Sequence, residues 1–150
     1  MNPVTGPSAH LTWEELACRD RMMTAYPGDW RPARAANLGR AFEDVRQECC
    51  VELGADCPLT VLEGYRTIQY QNHLQSVPRY KAATHSQHCE GRAVDIACPR
   101  GLTFSQFAGC VRRAARRSDS PIRYVELRPS MHYIHIDTRQ TTTLIIEEVT

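Results

Sequence analysis

Residues 85–97 read His-Ser-Gln-His-Cys-Glu-Gly-Arg-Ala-Val-Asp-Ile-Ala, and within them His88, Gly91 and Asp95 fall at intervals that join a loop to a strand. Gly91 turns the chain. From Arg92 to Ala97 the residues alternate, so that Ala93, Asp95 and Ala97 share one face while Val94 and Ile96 take the other. A carboxylate flanked by two alanines leaves room beside it for something bulky. His88 can reach the same point from the loop. His135, in Met131-His132-Tyr133-Ile134-His135-Ile136-Asp137, can supply a third donor from a neighbouring strand. Two neutral imidazoles and one carboxylate suit a catalytic zinc, which takes three protein ligands and keeps the fourth position for water. The competing reading has the histidines satisfied by hydrogen bonds at a strand edge and Asp95 in a turn or ion pair. The joint spacing with Gly91 and the two alanines favours the metal.

The pattern on either side predicts helices first and strands later. Leu11 to Leu16 reads as a helix start, with Thr12 as N-cap, Glu15 closing a capping box and Leu11 stapled onto Leu16; that helix is expected to run until just before Pro27. A second begins near Pro32 and carries Leu38, Phe42, Val45, Cys49 and Leu53 until Gly54 stops it. Pro58 to Leu62 predicts a short strand that delivers Arg66 at its end. Thr67 to Lys81 is weakly helical, then loop-like around Pro78. Thr103 and Gln106 form another capping box before a third helix, whose apolar stripe is Phe104, Phe107, Ala108, Val111, Ala114 and Ala115. Strands follow at Ile122 to Leu127, Tyr133 to Asp137 and Thr141 to Val149. The fold class is therefore α+β, a mainly antiparallel sheet flanked by helices. A flexible segment, 1–10, precedes one domain, 11–150.

The 150 residues are enough for one core and too few for two. Eighteen Lys and Arg against 17 Asp and Glu give a net charge of +1, so no overall basic field drives nucleic-acid binding. Arg112, Arg113, Arg116 and Arg117 form a basic edge on the third helix, which reads first as a solvated face. No apolar stretch is long enough for a membrane span. The N-terminus lacks the charged start and apolar run of a secretory signal, which predicts the cytoplasm of the producing cell. Seven cysteines leave at least one thiol unpaired and favour a reducing compartment. Most read as small buried hydrophobes. Trp13 and Trp30 read as core or lid-packing residues, and His10, His73 and His85 carry no assigned role.

Ser86-x-His88-x-x-Gly91-x-Ala93-x-Asp95 resembles the motif of the zinc D-alanyl-D-alanine carboxypeptidases and related peptidoglycan L,D- and D,D-peptidases, many of them phage endolysins. The hedgehog signalling domain shares that fold, and residues 88–96 are similar to its counterpart. Ile134-His135-Ile136-Asp137 matches the second signature. Leu11-Thr12 with Glu15-Leu16, and Glu63-Gly64-Tyr65-Arg66-Thr67 followed by Asn72, are similar to the family's opening helix and its Ser-Gly-Tyr-Arg segment. The resemblance covers about residues 11–138. It implies a hedgehog-like, DD-peptidase-like domain that binds Zn2+ through His88, Asp95 and His135 and hydrolyses a peptide bond in peptidoglycan, by carboxypeptidase or endopeptidase action. It further implies that Arg66 holds a peptide carbonyl or carboxylate and stabilises the oxyanion, and that Ser86 supports the loop and lines the substrate site. Tyr65 and Tyr133 flank the proposed site, where they read equally as substrate-lining and as core-packing residues.

This chain departs from the family at the general base. Active members place an acidic residue three positions before the last histidine ligand, and here that position is His132. Histidine can take a proton from the attacking water, whose pKa a zinc ion lowers to about 7. Glu126, on the preceding strand, is the other candidate. Glu63 also stands where the family has serine. The partners implied are peptidoglycan stem peptides and, for a phage lysis or virion-associated protein, other virion proteins. The alternative function is a non-catalytic zinc-binding or structural module of the same fold, which the missing acidic residue favours.

Overall fold

The computed structural model describes residues 5–77 and 86–150; Pro78 to Lys81, where a loop is expected, and His85 lie outside them. Five strands, β1 (Val61–Glu63), β2 (Ala93–Ala97), β3 (Tyr124–Arg128), β4 (Tyr133–Asp137) and β5 (Ile145–Glu148), form one sheet in the order β1-β2-β4-β3-β5. Every pair is antiparallel except β3 with β5. The domain is α+β, as its sequence pattern predicts, and the parallel edge makes the sheet mixed. Each strand but β4 is shorter than its expected run, and β1 and β3 end one residue beyond theirs, at Glu63 and Arg128. β1 is also shifted toward Gly64, because Val61 and Glu63 are the residues that find partners on β2.

One face of the sheet is apolar. Val94, Ile96, Val125, Leu127, Ile134 and Ile136 alternate along the three inner strands and are essentially inaccessible to solvent. With them cluster Leu38, Phe42, Val45 and Cys49 of α2 (Ala36–Leu53) and Phe107, Val111 and Ala114 of α4 (Phe104–Ala115). Both helices follow their sequence signals. Pro32 lies in the wide π-helical turn, Arg31–Ala35, that leads into α2, Gly54 ends α2 with φ of 75°, and the Thr103–Gln106 capping box opens α4. The basic edge of α4 is half occupied by pairing. Arg117 reaches Asp44 and Glu48, and Arg113 reaches Glu48 and Glu52, all on α2. Those arginines join two helices and offer no free anion-binding strip. Among the described residues, no helix is long and apolar enough to cross a membrane.

The first helix corrects its expected length. α1 spans only Trp13–Leu16, with the Thr12–Glu15 capping box in place, and Ala17 then turns extended. The Leu16 carbonyl accepts from the Tyr65 amide, so the chain leaves the helix to meet the end of β1. Downstream, the Thr24 amide and hydroxyl both donate to Asp20, which closes a loop where a helix is expected. α3 (Ile68–Gln75) is capped by Thr67, whose hydroxyl accepts from the Tyr70 amide. All seven cysteines are free thiols, with Cys18, Cys49, Cys57 and Cys110 buried.

Residues 5–10, expected to be flexible, are tied down. The Trp13 amide donates to the Thr5 carbonyl, and Ser8 bridges to Leu11. Glu43 of α2 accepts from the Ser8 hydroxyl at 2.7 Å and from the His10 amide at 2.8 Å. Burial disfavours the Glu43 charge, but these bonds, with the His10 ring beside it, outweigh burial and hold its carboxyl below the ordinary value. A carboxylate acidified by folding adds stability above its unfolded pKa, about 4.3, and that contribution is lost as pH falls through the folded value. Amide protection factors of residues 5–11, relative to the unstructured chain at the same pH, should therefore fall on acidification below about pH 4, and Glu43→Gln should lower them likewise at neutral pH. Unchanged protection in the variant would contradict this anchoring.

Candidate metal centre

The other face of the sheet is polar at its middle. Glu63 is paired with Asp95, Asp95 with His135, His135 with Glu126 and Glu126 with Glu147, so one row of ionisable side chains crosses all five strands. Directly opposed residues share a face. The sequence interval from Asp95 to His135 conceals an adjacency that the β2–β4 register makes direct.

His88 enters this row from above. Its loop is a tight turn in which the Ser86 hydroxyl accepts from the His88 amide at 3.2 Å, and Gly91 takes φ of 67°. A Cβ at Gly91 would lie 2.6 Å from the Trp30 ring and 2.8 Å from the Tyr26 hydroxyl, so a side chain there fits neither the space nor the backbone. The Tyr26 hydroxyl donates to the Gly91 carbonyl at 2.6 Å and pins the loop to the aromatic cluster. His88 is then fixed by its outer nitrogen, with Nδ1 2.7 Å from the Gly64 carbonyl. Because a carbonyl only accepts, Nδ1 carries the proton.

The inner atoms converge. His88 Nε2 lies 3.1 Å and His135 Nδ1 2.9 Å from the same oxygen, Asp95 Oδ1. One ligand atom from each of the three residues falls within 4.8 Å of the others. His88 and Asp95 are buried, and His135 nearly so. His135 Nε2 is 2.8 Å from Asp137 Oδ2, and Asp137 is itself held by Arg139. The outer nitrogen of each imidazole thus faces an oxygen acceptor, as metal-bound histidines require. If both rings are neutral, their inner nitrogens are lone pairs turned on a carboxylate oxygen, an arrangement that calls for a cation between them. The three residues therefore fit a divalent metal.

Electrostatics agree with that demand for positive charge. Burial alone would raise the Asp95 pKa, but the His88 charge and hydrogen bonds from His135 and His88 override it, and the carboxyl is held well below the usual range. Burial likewise pulls His135 down, yet Asp137 and Asp95 outweigh it and push its pKa up to about 9.

Around this centre the sequence-derived candidates fall in different places. Arg66 is brought in. Its Nη2 is 3.9 Å from Asp95 Oδ2, its Nη1 donates to Gln71 at 3.1 Å, and its amide donates to the His88 carbonyl. Glu126 is also brought in, opposite His135, and accepts from the Tyr124 hydroxyl at 2.8 Å and from Arg128 at 2.6 Å. Tyr133 shares the face of His135, and the Asp95 charge is second only to burial in raising its pKa. Ser86 holds the loop by its hydroxyl.

Two candidates are not brought in. His132 sits exposed at the turn after Pro129–Met131, with φ of 55° and its ring edge-on to Phe104 of α4 at 6.4 Å. Its ring therefore turns toward α4 and away from Asp95 and His135. Tyr65 packs edge-on against Tyr26 and Trp30, at 6.1 and 5.9 Å, as part of an aromatic wall. Asp137 and Gly64 stand within the sequence motifs without an assigned role, and Gln71 lies outside them. For Asp137 a signal existed, its two-residue interval from His135, whereas the Gly64 carbonyl and Gln71 are positioned by tertiary contacts.

No family model and no curated protein matches this chain. Among solved structures, the crystal structure of the Serratia marcescens L-Ala D-Glu endopeptidase ChiX is similar to part of it. Identity is 28% over 53% of this chain and 70% of that one, with a TM-score of 0.33.

Calorimetric titration of the metal-free protein with Zn2+ should give one ion per chain, and Asp95→Ala should abolish that binding. Asp137→Asn should weaken it about 10- to 100-fold through the lost support of His135. Wild-type affinity in Asp137→Asn would contradict the role of that outer contact.

Proposed function

We propose that this protein is a zinc-dependent peptidase that hydrolyses a peptide bond of peptidoglycan next to a D-amino acid. The observation that carries the proposal is the convergence of His88, Asp95 and His135, with an acidic side chain one rung away and an arginine beside it. The motif resemblance across residues 86–95 and 134–137 supports the same reading. Two imidazoles and one carboxylate favour zinc over the harder Mg2+ and Ca2+, which prefer oxygen ligands. Zn2+ held there supplies Lewis acidity toward the scissile carbonyl and the attacking water.

The remaining work falls to the side chains. Glu126 is our choice of general base over His132, because it is the cross-strand partner of His135 on the polar face of the sheet. It takes the proton of the attacking water and passes it to the leaving amine nitrogen as the C–N bond breaks. Arg66 donates a hydrogen bond to the carbonyl oxygen as negative charge develops there. Tyr133 and the Ser86 loop border the peptide, while Tyr65 acts from behind, through the aromatic wall that supports the loop. A phage lysis or virion-associated setting is proposed from the motif resemblance.

A second reading is favoured by one contact set. Glu126 is already engaged by Tyr124 and Arg128, as suits a metal-stabilised module without turnover. Digestion of purified peptidoglycan, with mass spectrometry of the released muropeptides, separates the two readings. The peptidase reading predicts products that vanish with chelator and with Asp95→Ala, fall about 100- to 10,000-fold with Glu126→Gln, and persist with His132→Ala. Zinc binding without any released muropeptide would establish the non-catalytic module instead.

A further inference from the structure

Glu63 stands next to Arg66 in a way that changes what the arginine can recognise. Glu63 Oε2 and Arg66 Nε face each other at 3.5 Å, and both atoms are sealed from solvent without a hydrogen bond. The pair is therefore held by charge. The same guanidinium faces Asp95 and donates to Gln71, and its side chain is only 13% exposed. Arg66 is thus opposed by two carboxylates.

The pattern repeats along the row. Arg128 is bonded to Glu126, and Arg139 to Asp137. Arg66, Arg128 and Arg139 thus each have at least one carboxylate of this face within ion-pair distance. A substrate arriving with a free C-terminal carboxylate would meet no unbalanced cation at these arginines and would add a charge beside Glu63. A peptide carbonyl needs only a hydrogen-bond donor, which a neutralised arginine still provides.

We propose that Glu63 is a specificity-determining residue: by neutralising Arg66 it directs the site to peptide bonds within a chain and away from bonds next to a free C-terminal carboxylate. This rests on the peptidase reading above and narrows it to endopeptidase action. Removing the Glu63 charge should release Arg66 to pair with a terminal carboxylate.

The test compares two probes, an N-acetylated L-Lys-D-Ala-D-Ala tripeptide as the free acid and as its C-terminal amide. Binding is measured by calorimetry on zinc-loaded protein carrying Glu126→Gln, so that turnover does not consume the probes. With Glu63 present the two forms should bind about equally. With Glu63→Gln the acid should gain at least about tenfold over the amide, the scale of one charged hydrogen bond, and Arg66→Ala should erase that gain. A strong preference for the acid with Glu63 present, or no change on Glu63→Gln, would overturn the proposal while leaving the peptidase reading intact. Failure of every variant to bind either form would overturn both. Should Glu63→Gln lower zinc content, Glu63→Ser provides the same comparison.

Discussion

A carboxylate at the middle of a sheet, on a strand whose other residues are small or apolar, is the constraint around which this domain is arranged. Asp95 is 5% exposed, and an isolated charge at such depth is untenable without compensation. Compensation comes from three directions: His88 from the loop above, His135 from β4, and Arg66 from the segment after β1. Each is positioned by other parts of the chain. Gly64 and the Tyr26 contact at Gly91 set His88, Asp137 sets His135, and Gln71 and Glu63 set Arg66.

The two faces of the sheet divide the tasks of folding and chemistry. Burial of Val94, Ile96, Ile134 and Ile136 against α2 and α4 fixes the β2–β4 register, because a slip by one residue would exchange the apolar and polar faces. That register is also what opposes Asp95 to His135 and His135 to Glu126. The core thus determines the geometry of the centre, although none of its apolar side chains belongs to it.

Much of this was legible in the chain itself. Period-two alternation marked the faces of β2, and capping boxes at Thr12 and Thr103 marked two helix starts. The spacing of His88, Gly91 and Asp95 brought the first two donors together before any pairing was known. What stayed hidden depends on tertiary contacts. α1 stops after one turn because the Leu16 carbonyl is taken by Tyr65, a partner 49 residues away in the chain. The position three before His135 suggested His132 by analogy, but that residue sits in the left-handed turn ahead of β4 with its ring against Phe104. The neutralisation of Arg66 by Glu63 was invisible because residues three apart on an irregular segment need not meet. Here they do, at the end of β1.

X-ray absorption at the zinc edge tests the centre most directly, since it identifies the ligands irrespective of whether the protein turns over substrate. The protein carries seven cysteines, whose thiolates would compete for zinc in any site other than the one described here. The account predicts a first coordination sphere of nitrogen and oxygen alone at about 2.0–2.2 Å, with imidazole scattering from two rings, lost in Asp95→Ala. Sulfur scatterers at about 2.3 Å, or a spectrum indifferent to Asp95, would contradict it.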